Sequence, residues 1–369
     1  MKITQIDVYQ VDYKLLDQKY AWSRGHAVTS FVSTIIRIST DEDLKGFAEV
    51  CPLGSAYMDA FAQGIPNGIK ELGHLLIGRD PCQINVINDL MDLALTGHSY
   101  IKSPLDIACW DILGQVAGVP VCTLLGGRYV DSFPLYRAIS QGTPEEMADD
   151  VSRFREEGYR RFQLKVGGEP DEDIKRIKAV LKKIKKEDIL VADANTGWLT
   201  HKAIRVVNAL AREDLYIEQP CSTLEECQAV REHTQLPMVL DEVIKGVDSL
   251  LRAYDERAMD VVNLKISRLG GLAKTKQMRD LCESLRVAMT IEDSWGGDIT
   301  TATVAHLVGS TRAEFYFTST DFNSYNDIHL AADAPMKKEG RLDVPSKPGL
   351  GICVKEEMLG KPVLTIKST

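Results

Sequence analysis

The chain has 369 residues, 44% of them hydrophobic and 26% charged, a balance that argues against disorder and is too long for one small core. Its formal net charge of −9 argues against nucleic acid and anionic membranes as partners. No stretch approaches the ~18 consecutive apolar residues that span a bilayer, and the opening MKITQIDVYQVDYK carries Asp7 and Asp12 where a signal peptide would be apolar. A cytoplasmic protein is expected. The cysteines at 51, 82, 109, 122, 221, 227, 282 and 353 form no CxxC pair, so they are expected to be reduced and structural.

In chain order, ITQIDVYQV and FVSTIIRIST read as strands, and a polar turn leads to GFAEV, completing a meander. Helical patterns follow around 60–77, 84–97 and 103–117. For the last, Ser103 is expected as N-cap and Pro104 as the first helical residue, with Gly118 and Pro120 closing it. Residues 1–125 are therefore expected to form an α+β domain. From about 133 the chain alternates strand and helix. The strands are PLYRAI, RFQLKV, ILVAD, LYIEQ, PMVLD, VVNLKI, VAMTIE and, less cleanly, EFYFT. Short loops between alternating β and α imply parallel strands and right-handed crossovers. Eight such strands close a barrel, here (β/α)7β over 126–332, whose site lies at the C-terminal ends of the strands. The tail, 333–369, is expected to pack back on the first domain.

Five of these strands end in ionisable residues: Lys165, Asp193, Glu218, Asp241 and Lys265. From Asp193 onward they are spaced by roughly two dozen residues, the length of a strand, a helix and two loops. Each unit thus delivers one charged group to the same rim. An isolated strand-end Asp would usually cap the next helix, but three carboxylates in successive units repel one another unless they share a hard cation. Oxygen-only ligands favour Mg²⁺ or Mn²⁺ over zinc. Two lysines beside such a metal form an acid/base pair suited to a carbon acid. With one lysine on each face of a substrate, the same residues permit racemisation, epimerisation, cycloisomerisation or anti elimination.

These residues resemble the enolase superfamily, muconate-lactonizing-enzyme subgroup, over nearly the whole chain. The matching pieces are LKVGG, DANTGW, IEQP, LDE, NLKISRLGGL and EDSWGGD, together with the N-terminal domain as a cap. The resemblance implies that Asp193, Glu218 and Asp241 ligate Mg²⁺ and stabilise an enediolate, with Lys165 and Lys265 as acid/base groups on opposite faces. Asn195 and Glu242 then lie beside the metal. The subgroup often carries Lys-x-Lys at the second strand; here it reads Gln163-Leu164-Lys165, one positive charge fewer. A homo-oligomer is implied, without a fixed size.

Substrate choice should come from the cap segments 21–28 and 51–61 and from the last two strands. Trp22, Tyr57 and Trp295 are candidates to line the pocket, and His26 to touch substrate from a cap loop. Asp293, Asp298 and Asp321 are acids placed to hold a substrate ammonium. The motifs look most like family members that act on proline derivatives. Betaine epimerases place a tryptophan near the end of the eighth strand, whereas this chain reads FTSTDFNSY there. An acid suits a protonated secondary amine better than a methylated nitrogen. Dehydration of cis-3-hydroxy-L-proline is therefore the expectation, with epimerisation of proline betaine or 4-hydroxyproline as the alternative. Dipeptide epimerase and N-acylamino acid racemase stand further off.

Overall fold

A computed structural model describes residues 1–367. The N-terminal strands Ile3–Lys14, Ser30–Thr40 and Lys45–Val50 form an antiparallel sheet. The C-terminal strand Leu364–Lys367 adds to its edge, with Gln5 opposite Lys367. Helices Gly64–Leu76, Ile84–Ala94 and Ser99–Ala117 pack on this sheet. The last begins earlier than the sequence suggests. His98, at φ 52°, is its N-cap, and Pro104 lies inside it. The proline forfeits one backbone bond, but Tyr100, Lys102 and Ser103 are buried around it and hold the extra turn.

Eight parallel strands follow in strict sequence order: Tyr136–Ile139, Arg161–Lys165, Ile189–Asp193, Tyr216–Glu218, Met238–Leu240, Val261–Lys265, Ala288–Glu292 and Tyr316–Thr318. Tyr136 N donates to Ser319 O at 2.7 Å and draws the first and eighth strands together. The helices between start where local chemistry dictates. Thr143 with Glu146, and Thr223 with Glu226, form reciprocal caps for Pro144–Glu156 and Leu224–Arg231. Val191, Val239, Val261 and Phe317 fill the barrel interior as an apolar plug. Val191 and Val239 sit two residues before Asp193 and Asp241. Side chains on a strand alternate sides with period two, so the same inward face carries a plug below and carboxylates above.

The cap is docked by its own buried carboxylates. Glu49 accepts from Gly297 N at 2.8 Å and Thr300 N at 3.0 Å, at the start of the barrel helix Asp298–Gly309. Asp111 accepts from Phe47 N at 2.9 Å and Leu350 N at 2.8 Å, joining cap helix, cap strand and tail. All the cysteines are free thiols, and no described helix is long and apolar enough to cross a membrane.

Candidate active site

Strand register brings the ionisable ends together. Asp193 stands opposite both Lys165 and Glu218, and Lys265 stands opposite Glu292. Lys165, Asp193, Glu218, Asp241, Lys265 and Glu292 are each at least nine-tenths buried. The Lys165 ammonium donates to Asp193. Lys265 Nζ lies 2.7 Å from Asp241 Oδ2, and Arg268 Nη1 lies 2.6 Å from Asp241 Oδ1. Glu218 is held by amides on both sides: Gln163 Nε2 donates to its Oε2 at 2.8 Å and Asn263 Nδ2 to its Oε1 at 3.0 Å. Gln163 and Asn263 each precede a lysine by two residues, so they point into the same interior. The glutamine that departs from Lys-x-Lys therefore fixes the central carboxylate.

The electrostatics follow from this packing. Burial raises the Glu218 carboxyl well above its ordinary value, and Asp193, Asp241 and Glu292 push the same way. Burial would also raise Asp241, but Lys265 and Arg268 outweigh it and hold that carboxyl well below the usual range. For both lysines burial opposes the charge, and neighbouring carboxylates win. Asp193 keeps Lys165 an ammonium, and Asp241 with Glu292 keeps Lys265 one. Glu242 is pushed up to about 8 by burial, then by Asp241 and Asp193.

These residues fit a divalent cation. Burial and mutual repulsion oppose charge on Glu218 and Glu242, a cost that a cation would offset, and Asn195 Oδ1 and Glu242 Oε2 are buried with no hydrogen-bond partner. Asn195 N caps Asp193 Oδ1 at 2.8 Å, and its side chain donates to Glu242 Oε1 at 3.1 Å. As they stand, no three Asp, Glu, His or Cys side chains among the described residues converge on one ion position. The reason is visible: lysine, arginine and amide donors occupy the carboxylate oxygens.

Above the charged layer lies a small chamber lined by Gln163, Lys165, Lys265, Glu292 and Asp293 and walled by aromatic rings. Its free volume is about 20 Å³, the space of roughly one water. Trp22, Tyr57 and Asn195 separate it from an outer vestibule of about 540 Å³, which His26 and Glu242 line. Trp22 stacks on His26 with centroids 5.6 Å apart and meets Tyr57 edge-on at 6.2 Å. Trp295 packs among Tyr20, Phe31, Phe322 and Tyr325. The Tyr57 hydroxyl accepts from Lys265 Nζ and lies 3.4 Å from Asp241 Oδ2.

The three acids expected near the mouth separate. Asp293 reaches the chamber, but its carboxylate is taken by Ser267 N, Ser267 Oγ and Ser294 N. Asp298 lies outside it, accepting from Asn323 Nδ2, His329 Nδ1 and Ala331 N, where it pins the segment after the barrel. Asp321 also lies outside, under the Tyr159 hydroxyl at 3.3 Å and beside Arg137. The acid facing the chamber beside Lys265 is Glu292, which accepts from Asn263 at 2.8 Å and from the Tyr136 hydroxyl. Glu292, Asn263, Tyr136 and Arg268 are absent from the sequence-derived site, although Glu292 ends the next strand, VAMTIE, as Lys265 ends its own.

A barrel with this rim and a cap over it defines an enzyme with a charged, metal-fitting floor. Comparison with known proteins makes the assignment specific. Residues 146–358 match the enolase C-terminal domain-like family, and residues 19–126 match the mandelate racemase/muconate lactonizing enzyme N-terminal domain. The chain belongs to the mandelate racemase/muconate lactonizing enzyme family of the enolase superfamily. It is 54% identical over 363 residues to a cis-3-hydroxy-L-proline dehydratase of Roseibium aggregatum, covering 98% of this chain and 99% of that one. An N-succinyl-L-Arg/Lys racemase of Bacillus cereus is 29% identical over 97% of both. A mandelate racemase/muconate lactonizing enzyme structure from Roseovarius nubinhibens superposes with TM-score 0.97 at 40% identity, covering 100% and 99%. Another from that organism, complexed with magnesium, gives 0.96 at 34% identity over 99% and 100%.

Proposed function

We propose that this enzyme removes the proton α to the carboxylate of cis-3-hydroxy-L-proline and expels the 3-hydroxyl as water. The observation that carries this reading is that both lysines, on strands either side of the carboxylate row, face one small chamber. Full-length identity to a dehydratase of that substrate supports it.

Asp193, Glu218 and Asp241 would hold Mg²⁺, with Asn195 and Glu242 beside it. When bound, the ion supplies positive charge that a substrate carboxylate needs as its α-carbon becomes acidic. The remaining work belongs to the chain's own groups. In cis-3-hydroxy-L-proline the hydroxyl and the α-hydrogen lie on opposite ring faces. One lysine, as a free amine, takes the α-proton. The other, as an ammonium, gives a proton to the departing hydroxyl. The bond electrons of Cα–H become the ring double bond, the C3–O bond breaks, and the enamine shifts a proton to give a cyclic imine and water. Both lysines are held as ammonium ions in this arrangement, so the one acting as base must first be released from its carboxylate. Glu292 is the acid placed to receive the ring nitrogen's protons. Tyr57 must lift from Lys265 to admit a five-membered ring, since its hydroxyl occupies that lysine.

The test is proton NMR in D₂O with Mg²⁺, using L-proline, cis-3- and trans-4-hydroxy-L-proline and their betaines. Loss of cis-3-hydroxyproline signals with growth of a cyclic imine is expected. No turnover of that compound, alongside efficient epimerisation of a betaine, would overturn the assignment.

A further inference from the structure

Lys265 is followed by a tight turn that is held from two sides. A one-turn helix, Ile266–Leu269, runs directly from Lys265. Gly270 and Gly271, at φ 101° and 114°, then reverse the chain into the helix Leu272–Leu285. Backbone at such φ is strained for any residue with a Cβ. Arg268, on the short helix, clasps Asp241 and donates to Asn263 O at 2.9 Å. The far end of the turn is gripped from the other domain. Asp106, on the cap helix Ser99–Ala117, is fully buried and accepts from Ala273 N at 3.1 Å and from Asn88 Nδ2 at 2.7 Å. Gly271 approaches so closely that a Cβ there would lie 2.4 Å from Asp106 Oδ2. A carboxylate buried at no small cost therefore meets a backbone position only glycine can occupy.

We propose that Asp106 is a positioning residue for Lys265: through Gly271 and Ala273 it sets the turn that aims this lysine at its face of the substrate. Lys165 also meets the cap, at Tyr20, and Ser23 packs on Gly167 just beyond it. The turn after it is bonded by Asp173 of its own barrel unit, which accepts from Gly167 N at 3.0 Å and Gly168 N at 2.7 Å. A cap carboxylate thus bonds the backbone of the Lys265 turn, and a barrel carboxylate that of the Lys165 turn. This inference rests on the two-lysine reading above.

The two lysines can be watched separately. In D₂O with Mg²⁺, the α-protons of L- and D-proline exchange with solvent from opposite faces, with no leaving group to complicate the result. Lys265→Ala identifies the enantiomer that Lys265 serves, by abolishing its exchange. Asp106→Asn turns an amide donor toward a donor already present, and Gly271→Ala pushes the same turn away from the other side. Both are expected to slow exchange of the Lys265 enantiomer about tenfold or more, as small misplacements of catalytic groups do, and to leave the other within about twofold. The ratio of the two rates is independent of how much protein is folded, so a merely structural loss does not move it. Equal slowing of both enantiomers, or of neither, in both variants overturns the proposal. If Lys265→Ala itself slows both enantiomers equally, the two-lysine reading falls, and the proposal falls with it.

Discussion

Lys165 and Lys265 end the second and sixth barrel strands, on either side of the carboxylate row, and the turns beyond them are held differently. Beyond Lys165, Asp173 gathers two backbone amides, the Trp198 indole at 2.8 Å and Arg176 at 2.8 Å, all from the barrel. Beyond Lys265, the turn is tied to Asp293 through Ser267, to Asp241 through Arg268, and to the cap through Asp106. The backbone beyond Lys165 is bonded within the barrel, and that beyond Lys265 is bonded partly by the cap. The difference matters because the cap also carries Trp22 and Tyr57, which wall the chamber.

The comparison breaks first at the lysines themselves. Replacing either with alanine should cut turnover by about 10²–10⁴-fold while circular dichroism is unchanged; near-wild-type rates in either variant would mean that only one lysine is needed. Next comes the partner of Lys265. Asp241→Asn leaves Lys265 and Arg268 buried with one anion fewer, and urea unfolding should show a loss of about 3 kcal/mol. Calorimetric titration with Mg²⁺ should show weakened binding in the same variant.

The Asp106 tether adds a pH dependence on the Lys265 side. Burial pushes its carboxyl up to about 6, against hydrogen bonds from Asn88 and the Ala273 and Leu272 amides. The folded state therefore binds this proton more readily than the unfolded chain does. Its contribution to stability is full below about 4 and is lost as pH rises through 6, by up to about 3 kcal/mol. Unfolding of wild type and Asp106→Asn at pH 4.5 and 7 should show wild type losing ground to the variant as pH rises; a constant difference would remove the titrating tether. Asp173→Asn should cost about 2 kcal/mol, because Gly167, Gly168 and Trp198 share one acceptor, and should slow α-proton exchange only on the Lys165 face. The smallest effect is expected at Tyr57→Phe, which loses one hydroxyl contact with Lys265. KM should move less than about tenfold; a large fall in kcat alone would give that hydroxyl a part in the proton transfers.

The barrel and its charged row were legible because a βα unit has a nearly fixed length. Regular spacing in sequence becomes a ring in space. Period-two alternation likewise places Gln163 and Asn263 beside the lysines. The same rule does not say which of Glu292 and Asp293 faces inward; the pairing of Lys265 with Glu292 decides it. Asp298 and Asp321 could not be placed from spacing, because they lie past strand ends where no period applies. Their partners, His329 and Tyr159, are distant in sequence.

The sequence by itself determined the fold, the row of carboxylates and the two flanking lysines, since each follows from local periodicity repeated eight times. Only the tertiary structure decided which oxygens are already taken, that Tyr57 sits on Lys265, and that Asp106 reaches across from the cap to Gly271. The Tyr57–Lys265 and Asp106–Ala273 contacts join residues separated by more than 150 positions. No local rule links such pairs; they exist because two independently patterned domains are packed against each other.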